Sequence, residues 1–437
     1  MLETLSRSWA LLLGMMLLMV GNGMQGTLLG IRGALEAFST FEMSLIVSAY
    51  FLGFLGGSHF APKLIKRVGH VRVFAALGSF ISAILILFPV VTEPWFWILL
   101  RVATGFCFSG VYVTAESWLN NASSNENRGK ALSLYMIFQM VGIVSAQGIL
   151  SLGDPSGFIL FIVPSVLVSI SFAPILLSVT PTPAYETAKP MSTRDLFRRA
   201  PLSCVGSCAL GGVFSALFGM SAVYGGEAGL SVTQISAFVA SIYIGGLVMQ
   251  FPIGILSDRI DRRKLILYTV VFGMVGAAAG VVSGSFPVLL ASAFVIGGAA
   301  NPLYSLMIAY ANDYLDHDDM ASASGRLIFL NGLGAIGGPV VTGWMMETVG
   351  ARGFFVFIFG LLAALLSYGV YRSFQREAPS ETSAYAPYSV STTTIAARVY
   401  TETAQDDDTQ PGPGDAAQTD GDEETEEIPT RLPDATG

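Results

Sequence analysis

Residues 241–264 read SIYIGGLVMQFPIGILSDRIDRRK, and residues 49–72 read AYFLGFLGGSHFAPKLIKRVGHVR. Each is a long apolar run that ends in a basic cluster. Laid together at an offset of 192, Phe51 matches Tyr243, Gly53 matches Gly245 and Arg67 matches Arg259. The same offset carries Gly105 to Gly297, Tyr112 to Tyr304, Asn120 to Asn312 and Gly142 to Gly334. One spacing held over four apolar runs marks an internal duplication.

The runs themselves set the solvent. The chain is 52% hydrophobic and only 12% charged, with a mean hydropathy of +0.61, whereas a soluble domain carries about 25% charged residues. Runs of this length can cross a hydrocarbon layer roughly 30 Å thick. Twelve spans are expected, at about 9–30, 43–62, 73–91, 95–118, 132–152, 157–178, 202–223, 235–256, 265–283, 286–311, 324–346 and 352–373. They lack period-two alternation, so a β-barrel is excluded. The run from Trp9 could be a secretory signal instead of a span, but no small-x-small cleavage site follows it. The expected class is all-α and integral to the membrane, with two pseudo-symmetric six-helix bundles.

Charge places the loops. Lys63, Lys66, Arg67 and Arg72 follow the second span, and Arg128 and Lys130 follow the fourth. Lys189, Arg194, Arg198 and Arg199 follow the sixth; Arg259, Arg262, Arg263 and Lys264 follow the eighth. The opposite loops offer Arg32 and Arg352. The bias towards basic loops on one side predicts that both termini are cytoplasmic. The domains expected are a bundle over 1–179, a proline-bearing loop over 180–201, a bundle over 202–374 and an acidic tail over 375–437. The tail holds 14 acidic and 3 basic residues, so residues 1–374 are net +3 although the whole chain is −8. The tail composition cannot bury a core and predicts disorder. An even number of spans per half gives parallel repeats, a transporter architecture with its solute site between the halves.

The loops then show a resemblance. GILSDRIDRR at 254–263 resembles the loop signature G-x-x-x-D-R-x-G-R-R of the major facilitator superfamily, and KLIKRVGHVR at 63–72 resembles its first-half form. The first copy departs from the pattern, with Lys66 where Asp is usual and Pro62 where Gly is usual. Arg101 in LLRVATG is similar to the family's R-x-x-x-G motif, and AESWLNN at 115–121, NRG at 127–129 and LYSLMIAYAND at 303–313 match further. Together they resemble a bacterial subgroup whose substrates are mostly unassigned, which implies a place in a bacterial inner membrane. The resemblance covers about 1–374 and implies a cytoplasmic gate held by Asp258. Glu116, pairing with Arg67 or Arg128, is the expected first-half substitute; Asp313 and Arg326 are its counterparts, and Arg259 and Arg262 complete the set. The competing reading of these basic residues is that they only enforce topology.

Arg101 is the basic residue well inside a span, where an ionisable group is costly and suggests function. Residues 101, 105, 108, 112 and 116 share one helical face, which puts Arg101, Tyr112 and Glu116 together. The resemblance links such an Arg to proton coupling in some antiporters; the other reading has it reach back to the outer interface. Asn22, Gln25, Gln139, Gln147, Asn301, Tyr304 and Asn331 complete the cavity candidates. Each could bond a solute or join two helices. With few buried charges, a neutral, zwitterionic or amphipathic solute fits best.

No phosphate-binding glycine loop occurs, which argues against ATP-driven pumping. GAIGGPVVTG at 334–343 resembles an antiporter signature that belongs on the fifth span, so it does not support antiport. Three cysteines and three histidines form no disulfide framework or metal spacing. No metal, cofactor or nucleic-acid partner is expected, and the spans hold no acid/base cluster for an enzyme. The reading is a secondary active, alternating-access transporter of a small organic solute, with proton coupling open, acting as a monomer in lipid. Its alternatives are a passive facilitator, or a transporter-derived sensor or scaffold acting through the tail.

Overall fold

The computed structural model describes residues 2–122, 125–176, 191–257, 259–315 and 317–375, and leaves aside the side chains of 2–8, 120–122, 125–130, 175, 317, 318 and 321. The loop segment 177–190, Asp258 and the tail from 376 lie outside the described residues. Among the described residues there are helices and no strand. The spans are α1 (Leu2–Leu35), α2 (Thr40–Val68), α3 (His70–Leu87), α4 (Pro94–Ala122), α5 (Asn125–Ser151) and α6 (Ile159–Ser171). The second half has α7 (Pro201–Glu227), α8 (Val232–Ser257), α9 (Arg262–Val282), α10 (Phe286–Asn312), α11 (His317–Val349) and α12 (Gly353–Ser373). Short helices at Ala173–Leu176 and Thr193–Arg199 lie between the halves.

Among the described residues, eleven of these are long and apolar enough to cross a bilayer, and the sixth is shorter, an apolar stretch of Ile159–Pro174. Pro164 and Pro174 each remove a backbone donor there, and the helix breaks at Phe172. The seventh span is also irregular. It starts with Pro201 in its first turn, passes through a π turn at Ala216–Met220 and resumes at Ser221.

Helix boundaries follow local chemistry. Ser39 and Glu42 form a capping box at the start of α2, with Ser39 N–H donating to Glu42 Oε2 at 2.8 Å and Glu42 N–H donating to Ser39 Oγ at 3.2 Å. Lys66 and Arg67 occupy the last turn of α2, where a cation complements the negative end of the helix dipole. That gives Lys66 a local reason to stand where a carboxylate was expected.

The corners that follow α2 and α8 are built differently. Gly69 turns from α2 into α3 at φ +88°, a conformation that excludes most side chains. Its repeat counterpart, Asp261, instead caps α9 and accepts from the N–H groups of Arg263 (2.8 Å) and Lys264 (3.4 Å).

Packing carries the duplication into three dimensions. α2 lies on α4 as α8 lies on α10, and α1 lies on α5 as α7 lies on α11. A Cβ on Gly53 would run into the backbone of Val102, and one on Gly105 into the backbone of Tyr50. At the same offset, Gly245 meets the backbone of Phe294 and Gly297 that of Ile242. Gly142 against Met16 and Gly334 against Cys208 repeat the device in the other helix pair. Without side chains at these points the backbones touch, and dispersion replaces the hydrophobic drive that lipid cannot supply.

Candidate functional site

The halves meet along α2 with α11, α5 with α8 and α1 with α7. Between them lies a cavity of about 150 Å³. Asn22, Arg101, Tyr112, Gln147, Tyr304 and Asn331 line it. The remaining candidates do not. Gln25 stands behind Arg101 and accepts from its Nη1 at 3.2 Å. The amide of Asn301 fills the notch left by Gly246 on α8, and Gln139 is buried outside the lining. Sequence spacing gives a face, but the twist of neighbouring helices decides whether that face meets a cavity or a partner.

Arg101 does not reach the outer interface. It is 5% exposed, its guanidinium carbon lies 4.4 Å from the centroid of the Tyr50 ring, and Nε donates to Ile46 O at 3.4 Å. It thus ties α4 to α1 and α2 while still facing the cavity. Asn22 Nδ2 donates to Tyr112 Oη at 3.1 Å, and that hydroxyl donates to Met19 Sδ at 3.1 Å. Gln147 Nε2 donates to Gly23 O at 3.1 Å, and Asn331 Nδ2 to Ser207 O at 3.1 Å.

The walls hold more rings than the polar candidates suggested. Tyr50, Phe51, Phe54, Phe214, Phe218 and Tyr243 all face the cavity. Phe218 lies 4.6 Å from Tyr243, centroid to centroid, and 5.9 Å from Phe214. The repeat match of Phe51 with Tyr243 was the available signal for this aromatic wall.

One end of the cavity is tied across the halves. It is the end away from the basic loops. There Thr40 Oγ1 donates to Glu227 Oε1 at 2.7 Å, Phe41 N–H donates to Glu347 Oε1 at 2.9 Å, and Ser48 Oγ donates to Ile336 O. Small residues let the helices close: Gly30 meets Ala222, Gly219 meets Val47 and Gly343 meets Ser44. Sequence reading missed Thr40, Glu227 and Glu347. Acidic residues at the ends of spans on the charge-poor side were the clue.

At the basic end the gate candidates separate. Arg262 Nη1 pairs with Asp313 Oδ1 at 2.5 Å, with side chains 2% and 1% exposed, and Arg262 Nε donates to Ser257 Oγ at 3.0 Å. Both helices of this pair, α9 and α10, belong to the second half. Arg326 Nε donates to Met191 O, in the segment between the halves, at 2.7 Å. Glu116 is 1% exposed at the basic end of α4, while Arg67 and Arg259 are exposed. Asp258 and the side chain of Arg128 lie outside the described residues.

Two repeated six-helix bundles around a shared cavity define a polytopic membrane transporter fold. The family model of the Major Facilitator Superfamily matches residues 11–243 and 204–399, and the chain belongs to that family. It is 26% identical over 341 residues to "Uncharacterized MFS-type transporter YcaD" of Salmonella arizonae (strain ATCC BAA-731 / CDC346-86 / RSK2980), covering 77% of this chain and 88% of that one. It is 28% identical over 323 residues to "Uncharacterized MFS-type transporter YfkF" of Bacillus subtilis (strain 168), covering 72% and 82%. In structure it is similar to a D323A mutant of the nucleoside transporter NupG, with a TM-score of 0.74, 15% identity and coverage of 84% and 100%. A bacterial homologue of the human lysosomal transporter Spinster, inward-facing and unoccupied, gives 0.66, 13%, 91% and 98%.

Proposed function

We propose that the chain is a secondary active transporter that carries a small organic solute across a bacterial inner membrane by alternating access. The observation that carries this reading is the cavity between the halves, tied at the charge-poor end by Thr40–Glu227 and Phe41–Glu347. Those contacts are few and polar, so rehydration can offset their loss when the halves part. With the basic loops in the cytoplasm, the described state is closed to the outside. Residues 1–179 and 202–374 act as the two moving bundles, as a monomer in lipid. Glu116, Asp258, Arg67, Arg128 and Arg259 then close the cytoplasmic side in the opposite state.

A cross-link tests the mechanism. A Cβ on Gly226 would stand 3.4 Å from that of Ala34, across the halves at the closed end, close to disulfide geometry. In a background without Cys107, Cys204 and Cys208, oxidised Ala34→Cys/Gly226→Cys protein should lose solute flux in proteoliposomes, and reduction should restore it. Full flux with the cross-link formed counts against alternating access. Flux that follows an imposed pH gradient supports proton coupling; indifference to it supports a facilitator.

A further inference from the structure

Among the described residues that line the cavity, Arg101 carries the one formal charge. Its guanidinium has five N–H donors, and the chain occupies it with Ile46 O at 3.4 Å and Gln25 Oε1 at 3.2 Å. Neither is a carboxylate, and among the described residues no acidic side chain pairs with it. A cation at membrane depth, 5% exposed and without a counter-ion, is held at a high cost. Tyr50 spreads some of that charge over its ring but supplies no negative group. The site also has an open acceptor. Gln147 Oε1 is buried and meets no donor among the described residues, although its own Nε2 is used.

The remaining walls select shape. The aromatic rings from both halves, Tyr50, Phe51, Phe54, Phe218 and Tyr243, favour a flat, apolar body. A single cation matches one negative charge, and a second would stay unpaired in an apolar cavity. We infer that the solute is an organic monoanion with a ring-bearing body, its carboxylate or equivalent acid on Arg101 and its ring against Phe54, Phe218 and Tyr243. This deepens the transport reading and rests on it for the word solute, but the binding site stands on its own geometry.

The test is binding to the full-length purified protein in detergent. Benzoate, 4-hydroxybenzoate and indole-3-acetate are compared with their own amides, which keep the ring and lose the charge. The acids should bind at least tenfold more tightly than the amides and raise the unfolding temperature more. Arg101→Gln should abolish that acid-over-amide ratio, whereas Phe218→Ala should weaken acid and amide alike. Amides that bind as tightly as acids, or three acids that do not bind, overturn the inference. The acid-to-amide ratio on the unmodified protein decides it even where Arg101→Gln fails to fold. Acids that bind without flux in proteoliposomes would sink the transport reading alone. Flux of a neutral solute that the acids neither share nor inhibit would sink the monoanion and leave transport standing.

Discussion

Arg262→Gln should destabilise the protein by about 3–5 kcal/mol, the usual penalty for breaking a buried ion pair from one side. The side chains of Arg262 and Asp313 are 2% and 1% exposed, 2.5 Å apart. Each also stands at the wrong end of its helix. Arg262 is the first residue of α9, and Asp313 caps the end of α10, so each opposes its helix dipole. Pairing cancels both conflicts at once. Asp313→Asn should destabilise as well, with Arg262 keeping Ser257 Oγ and Ala309 O as partners. The pair lies within one half, so it survives when the halves part. Thermal unfolding in detergent should therefore move sharply, while side-specific cysteine labelling of the surviving folded protein stays unchanged. Altered labelling with unchanged stability would support a gate role for Arg262.

The second large effect is expected at the helix crossings. Gly53→Ala should cost about 1–3 kcal/mol, the range for overpacking a filled contact, because its Cβ would lie within 2.9 Å of Val102 Cα as well as against its carbonyl. Gly53→Leu should yield no folded protein. Gly297→Ala should behave like Gly53→Ala, since its Cβ would lie 2.9 Å from Ile242 Cα. Gly148 is the control: nothing stands within 4 Å of a Cβ there, so Gly148→Ala should stabilise by about 0.8–1 kcal/mol through helix propensity. Equal effects at positions 53 and 148 would remove backbone contact as the cause.

These glycines also show how far the fold was readable. The offset that aligned Gly53 with Gly245 and Gly105 with Gly297 reappears as the same backbone contact in both halves. Repetition survives in sequence because the geometry admits no side chain. The cavity was less legible. Arg101, Tyr112 and Asn331 line it, but Gln25 and Asn301 are polar for other reasons, one holding Arg101 and one filling a notch beside Gly246. Composition cannot separate these uses. Asp261 is legible as a helix cap, an Asp just before a helix, a role that the loop signature around Asp258 does not predict. The tied end was the least legible, because which end closes is a property of one conformation.

The repeat is only partly kept at the cavity wall. Arg101 corresponds to Ala293 at the common offset, Asn22 to Phe214, and Gly26 to Phe218. A cavity with true twofold symmetry would receive a solute in two equivalent orientations. Both walls carry rings, but among the described lining residues the charge stands on the first-half wall alone, so rotation by half a turn takes an anionic group off its cation. A bound anion therefore has a preferred orientation, with its acid end turned to the first half of the chain.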